Sequence, residues 1–105
     1  MIIRSAYLEG SVAEADRRRF DQHMSGPVLA AIATYPEIRG VKLRHLVQAD
    51  EGAPPICMIF DLYFDSVADM DAALASPTRQ AVRGIIAEAM SVFKGRAYHL
   101  VFQED

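Results

Sequence analysis

The chain is predicted to fold as an α+β domain, with a four-stranded antiparallel sheet that carries its helices on one face only. Three observations predict this. Apolar stretches of strand and helix periodicity alternate along 105 residues in the order β-α-β-β-α-α-β. The stretch Ile56–Phe64 is apolar on both of its faces, as a central strand covered from two sides must be. And Leu62–Val82, LYFDSVADMDAALASPTRQAV, marks a strand exit, a helix, and a second helix start in one pass.

Ile2 to Glu9 has the apolar content of a first strand, and Gly10 is expected to break it. Ser11, with Glu14 three residues on, has the spacing of a capping box, so a helix is expected from there. Phe20, Met24, Val28 and Ile32 recur every four residues along it as one apolar stripe. Pro27 has no N–H to offer the carbonyl of His23, which predicts a kink. The helix is expected to end before Tyr35-Pro36, because a residue preceding proline avoids the α region. Gly40 to Gln48 is expected as the second strand, with Val41, Leu43, His45 and Val47 on one face and Lys42, Arg44 and Leu46 on the other. Asp50–Pro55 forms the hairpin loop.

After the third strand, Ser66 and Asp69 repeat the capping-box spacing. Val67, Met70 and Leu74 form the inner face of the helix that follows. Ser76-Pro77 then places a hydroxyl at N-cap and a proline at N1 of another helix. Its stripe is Val82, Ile85, Ile86, Ala89 and Phe93, and Gly95 is expected as its C-terminal stop. Arg96 to Gln103 is the last strand, apolar at Tyr98, Leu100 and Phe102, which leaves His99 on the less buried face. Two interlocked β-α-β units of this order are the ferredoxin-like plan.

Composition narrows the functional classes. A chain this short buries roughly 60–70% of its surface, yet 51% of its residues are hydrophobic. Apolar surface is left over, and an identical sheet related by a two-fold axis would cover it. The expectation is a homodimer through the sheet faces. A net charge of -3 carries no electrostatic footprint for nucleic acid. No apolar run approaches the roughly 18 residues of a membrane span, and no secretory signal precedes the first strand, so a cytoplasmic protein is expected. With one cysteine and three histidines on separate elements, neither a disulfide nor a metal site is expected, and no cofactor motif is present.

Two motifs resemble a known family. Phe20-Asp21-Gln22-His23-Met24, followed by Pro27, is similar to a helix motif of the EthD-like branch of the dimeric α+β barrel superfamily, with Ser25-Gly26 inserted before the proline. Leu62-Tyr63-Phe64-Asp65-Ser66, then Ala72-Ala73-Leu74-Ala75-Ser76-Pro77, is similar to that family's strand exit and Ser-Pro helix restart. The resemblance covers nearly the whole chain. It implies a homodimer whose paired sheets form a barrel, and a cleft between helices and sheet in each subunit. It also implies a small hydrophobic ligand: an ether, an aromatic or another carbonyl compound of catabolism.

Within that frame the candidate cleft residues are Phe20, Met24, Phe60, Arg79 and Phe93. The candidate base is His23, with Tyr63 or Asp61 assisting. For His23 the other reading is a histidine satisfied by the backbone at the kink. If the hairpin is symmetric about Gly52, His45 and Asp61 are diagonal neighbours, as a base-tuning pair or as an interface hydrogen bond. Arg79 is either an anion clamp in the first turn of its helix or a solvent-facing arginine. A non-catalytic accessory protein of an oxygenase system remains the alternative function. Polyketide cyclase relatives keep a histidine, a tyrosine and a strand histidine where this chain has Arg79, Ala73 and Met58. Haem-degrading relatives rely on a tryptophan, and this chain has none.

Overall fold

A computed structural model describes residues 1–105. Its elements run β1 (Ile2–Val12), α1 (Glu14–His23), a π-helical turn (Met24–Val28), α2 (Leu29–Ile32), β2 (Gly40–His45), β3 (Ile56–Phe64), α3 (Val67–Ala75), α4 (Thr78–Ala89), a 3-10 turn (Met90–Val92) and β4 (Phe93–Gln103). The four strands form one sheet in the order β2-β3-β1-β4, with every neighbouring pair antiparallel. This is the ferredoxin-like arrangement expected from the element order. The domain is only 18 Å along its shortest axis, room for one sheet and one helix layer.

Period-2 alternation assigns the faces. Met58, Phe60, Leu62 and Phe64 of β3 are buried towards the helices, and register places Ala6, Arg4 and Ile2 of β1 on the same side. Ile59, Asp61 and Tyr63 point to the other side, which no helix covers, while Cys57, at the register shift opposite Leu8 and Glu9, packs against the core. The helix layer contributes Phe20, Met24, Val28 and Ile32, all buried. A strict four-residue repeat drifts around a 3.6-residue helix. The π turn at Met24–Val28 absorbs that drift, so all four side chains reach the core. Pro27 sits inside the π turn, and Ser25 Oγ donates to the carbonyl of Asp21 at 2.8 Å. The expected kink is thus a wide turn, and the two inserted residues Ser25-Gly26 lie in it.

The cap at Ser66 forms as expected, its Oγ accepting from the N–H of Asp69 at 3.1 Å. Ser76 acts differently from expectation: its hydroxyl donates to the carbonyl of Ala73 at 2.6 Å, closing α3, while Pro77 takes helical angles ahead of α4.

Four boundaries differ from expectation. Gly10 does not end β1, which continues to Val12, and α1 begins at Glu14 with Ala13 before it and no side-chain cap. Gly95 is not a helix stop. It lies within β4, opposite Gly10, and both have φ near +150°. A Cβ on either glycine would stand 2.1 Å from a backbone carbonyl oxygen of the other strand, so the pair permits a close crossing of β1 and β4. Phe93 accordingly starts β4 instead of closing α4, and β2 ends at His45 instead of Gln48.

The hairpin register is one residue away from the expected one. Lys42 pairs with Asp61 and Leu43 with Phe60. A one-residue slip exchanges faces. His45 therefore lies opposite Met58 on the helix side and is not a neighbour of Asp61; Arg44 takes that place.

Candidate functional site

The structure separates the candidate residues into three places. Asp61 and Tyr63 lie on the open face of the sheet. Asp61 accepts from Ser5 Oγ at 2.6 Å, and Arg44 grips it bidentately through Nε at 2.6 Å and Nη2 at 3.1 Å. Burial pushes its carboxyl pKa up, but the hydrogen bonds from Arg44 and Ser5 outweigh burial and hold it below the usual aspartate value. Beside it, Lys42 stands over the Tyr63 ring at 5.3 Å. His23 is half-buried in the last turn of α1, on the helix side of the sheet. It therefore has no access to Asp61 or Tyr63, and the expected base-and-assistant trio is not assembled. Phe20, in the core, stacks on half-buried Phe93 with ring centroids 5.8 Å apart.

The third place is a cavity of about 220 Å³ between the helix layer and the sheet. Met24, Phe60 and Arg79 line it; His23, Phe20, Phe93, Asp61 and Tyr63 do not. Its floor is hollow because two small residues, Ala6 and Ala97, occupy the inward positions of adjacent strands. Val28, Ile32, Leu74, Ile86 and Met90 contribute its apolar walls.

One end of the cavity is polar. Arg4 of β1, Tyr35 from the loop after α2, Arg79 and Arg83 of α4, and His99 of β4 meet there. Burial, and then the field of Arg79, bring Arg4 below the ordinary arginine value. Burial pushes the Tyr35 phenol up against the pull of all three arginines. His99 faces the helix layer, not the other side as expected, because its strand begins at Phe93 and runs in register with Ala6. It lines the cavity from the edge strand β4, and the residue as a whole remains exposed. Burial first, then Arg4 and Arg79, lower its pKa to about 4, so it is neutral at physiological pH.

Of this polar group, only Arg79 stands out from the sequence as a ligand contact. Two signals mark the others. Arg4 interrupts the inward series Ile2, Ala6 and Leu8, and Arg79 and Arg83 place like charges one helical turn apart on the inner side of α4.

Fold and site define a ferredoxin-like α+β domain with a small apolar cleft, charged at one end. No protein-family model matches the chain, and no curated protein does. Solved structures do. The chain is similar to an ethyl tert-butyl ether D (EthD) family protein from Bacillus halodurans, at 17% identity and a TM-score of 0.77 over the whole of both chains. It is similar to a dimeric ferredoxin-like protein of unknown function from Bacteroides fragilis, at 14% identity and a TM-score of 0.66, over 98% of this chain and 95% of that one. It is also similar to SnoaB, a cofactor-independent oxygenase from Streptomyces nogalater, at 14% identity and a TM-score of 0.63, over 98% of this chain and 91% of that one. At these identities the likeness is one of fold.

Proposed function

We propose that this protein is a homodimeric EthD-like binder of a small, largely apolar organic molecule, held in the cleft between helices and sheet. The observation that carries the reading is the hollow above Ala6 and Ala97, walled by apolar side chains and open to polar groups at one end only. A cavity of roughly 150 Å³ is enough for benzene, so 220 Å³ accommodates a substituted single ring or a short branched chain.

Dimerisation through the open sheet face accounts for the apolar side chains there. Leu100 and Phe102 are among the exposed large hydrophobic residues, and Tyr7 stacks on Tyr98 beside them with ring centroids 5.3 Å apart. The Bacteroides fragilis neighbour is described as dimeric, which supports the same reading. Under it, the Ser5–Asp61–Arg44 cluster belongs to the interface and not to catalysis, and His23 is a helix-end residue outside the ligand contact.

A thermal-shift screen of small aromatic, ether and carbonyl compounds tests the cleft. Compounds that raise the melting temperature of the wild type are expected to lose that effect in Ala6→Leu, which fills the hollow, and to keep it in His23→Ala. Ligands whose effect survives Ala6→Leu but disappears in His23→Ala would refute this assignment. Light scattering is expected to return twice the 11.6 kDa chain mass, and a monomer at micromolar concentration would remove the dimer from the reading.

A further inference from the structure

The polar end of the cleft has a composition that the apolar part does not explain. It contains three arginines, and no aspartate or glutamate lines the cavity. The chain's four ion pairs are made by Arg17, Arg39, Arg44 and Arg96, so Arg4, Arg79 and Arg83 have no carboxylate within 4.0 Å. The side chain of Arg79 donates to the carbonyl of Leu74 at 3.3 Å, a weak contact for a guanidinium with five donors. Asp71 of α3 is the acid whose field reaches Arg4. Three guanidiniums held at the mouth of an apolar hollow repel one another and gain from a shared anion.

We infer that this end of the cleft is an oxyanion subsite, and that the ligand is an apolar molecule bearing one carboxylate, held by Arg4 and Arg79 with its body over Ala6 and Ala97. The inference rests on the cleft being the binding site and adds the chemical class of the ligand. Arginine suits this task because its planar fork matches a carboxylate edge to edge. Arg83, one turn beyond Arg79, supplies the third positive charge, and the Tyr35 hydroxyl is a neutral donor on the same side. His99 completes the ring of groups. Arg4 faces it from β1 and Arg79 from α4, both disfavouring its protonation. It is therefore available as a neutral imidazole that donates one hydrogen bond to the same carboxylate. A cationic ligand would find no acidic group on the lining, and a nucleotide would not fit in 220 Å³.

Calorimetric titration separates this inference from the reading beneath it. The probes are benzoate, phenylacetate and hexanoate, the neutral isostere benzamide, and inorganic phosphate. At least one acid is expected to bind ten-fold or more tightly than benzamide and phosphate. Arg79→Gln and Arg4→Gln are each expected to weaken that acid ten-fold or more and benzamide by less than three-fold, and Arg17→Gln to change neither. Ala6→Leu is expected to abolish acid and amide binding alike. Equal affinity for acid and amide would overturn the anion assignment and leave the cleft reading standing. Phosphate binding as tightly as the best acid would overturn the apolar-acid class. Acid binding that survives Ala6→Leu would overturn both the subsite and the cleft.

Discussion

Replacing Asp61 by alanine tests the open-face cluster most directly, because it removes one acceptor and strands two unlike donors. The Asp61 side chain is 6% exposed, covered by its partners. Ser5, 2% exposed, donates to Oδ1 and has no water to turn to when that oxygen is gone. A buried hydroxyl left without its partner costs about 1–3 kcal/mol. Arg44 is different: in the single chain its side chain is 57% exposed and regains water, so within one chain its share is that of a surface pair, about 0–1 kcal/mol. The expected loss for Asp61→Ala within one chain is therefore about 1–4 kcal/mol, most of it from Ser5. Asp61→Asn keeps an acceptor oxygen for Ser5 but loses the charge and the oxygen that accepts from Arg44 Nε, whose exposed head turns to water, at about 1 kcal/mol. The assay is urea unfolding at pH 7 and one fixed protein concentration, since the stability of the proposed dimer would depend on it. The aspartate is held below its unfolded pKa, so its contribution is present above about pH 4 and is lost as pH falls through the lowered value. The alanine penalty should shrink over the same window. An Asp61→Ala cost under about 0.5 kcal/mol, or an asparagine as costly as the alanine, would refute the reasoning.

Two further outcomes follow from backbone and charge. Gly95→Ala drives a Cβ to 2.1 Å from the carbonyl oxygen of Glu9 at a φ of +149°, so it should cost about 2–5 kcal/mol in urea unfolding; Gly84→Ala, with open space around it on α4, should add about 0.5–1 kcal/mol. His99 should titrate near 4 by NMR, and higher in Arg79→Gln, because removing that charge eases protonation. The unfolded imidazole binds its proton near 6.5, so stability is complete above that pH and falls between about 6.5 and 4. The part-exposed ring limits this loss to about 1–2 kcal/mol. An unchanged His99 titration in Arg79→Gln would show that the two groups do not share the cleft.

Much of the fold was legible because its signals are local. The Ser66 cap, the four-residue repeat from Phe20 to Ile32, and the two-sided apolarity of β3 each follow from neighbours within a few residues. Where local signals competed, the sequence reading erred. Gly10 and Gly95 look like a strand break and a helix stop taken singly, yet they are one crossing, visible only when the two strands are laid side by side. The hairpin register was recoverable in principle: matching Val41 and Leu43 to the core residues Leu62 and Phe60 requires Lys42, not Leu43, opposite Asp61. That single residue moved His45 away from Asp61 and supplied Arg44 in its place.

By itself the sequence determined the element order, the one-sided helix cover and the ferredoxin-like class, since periodicity and caps act over one or two turns. Only the tertiary structure decided the site. Arg4, Tyr35, Arg79 and His99 are separated by up to 95 positions and come from two strands, a loop and a helix. No local pattern links them. They meet because strand register and helix packing place two alanines beneath a gap, and that gap leaves the arginines beside an apolar hollow with no acid on its lining.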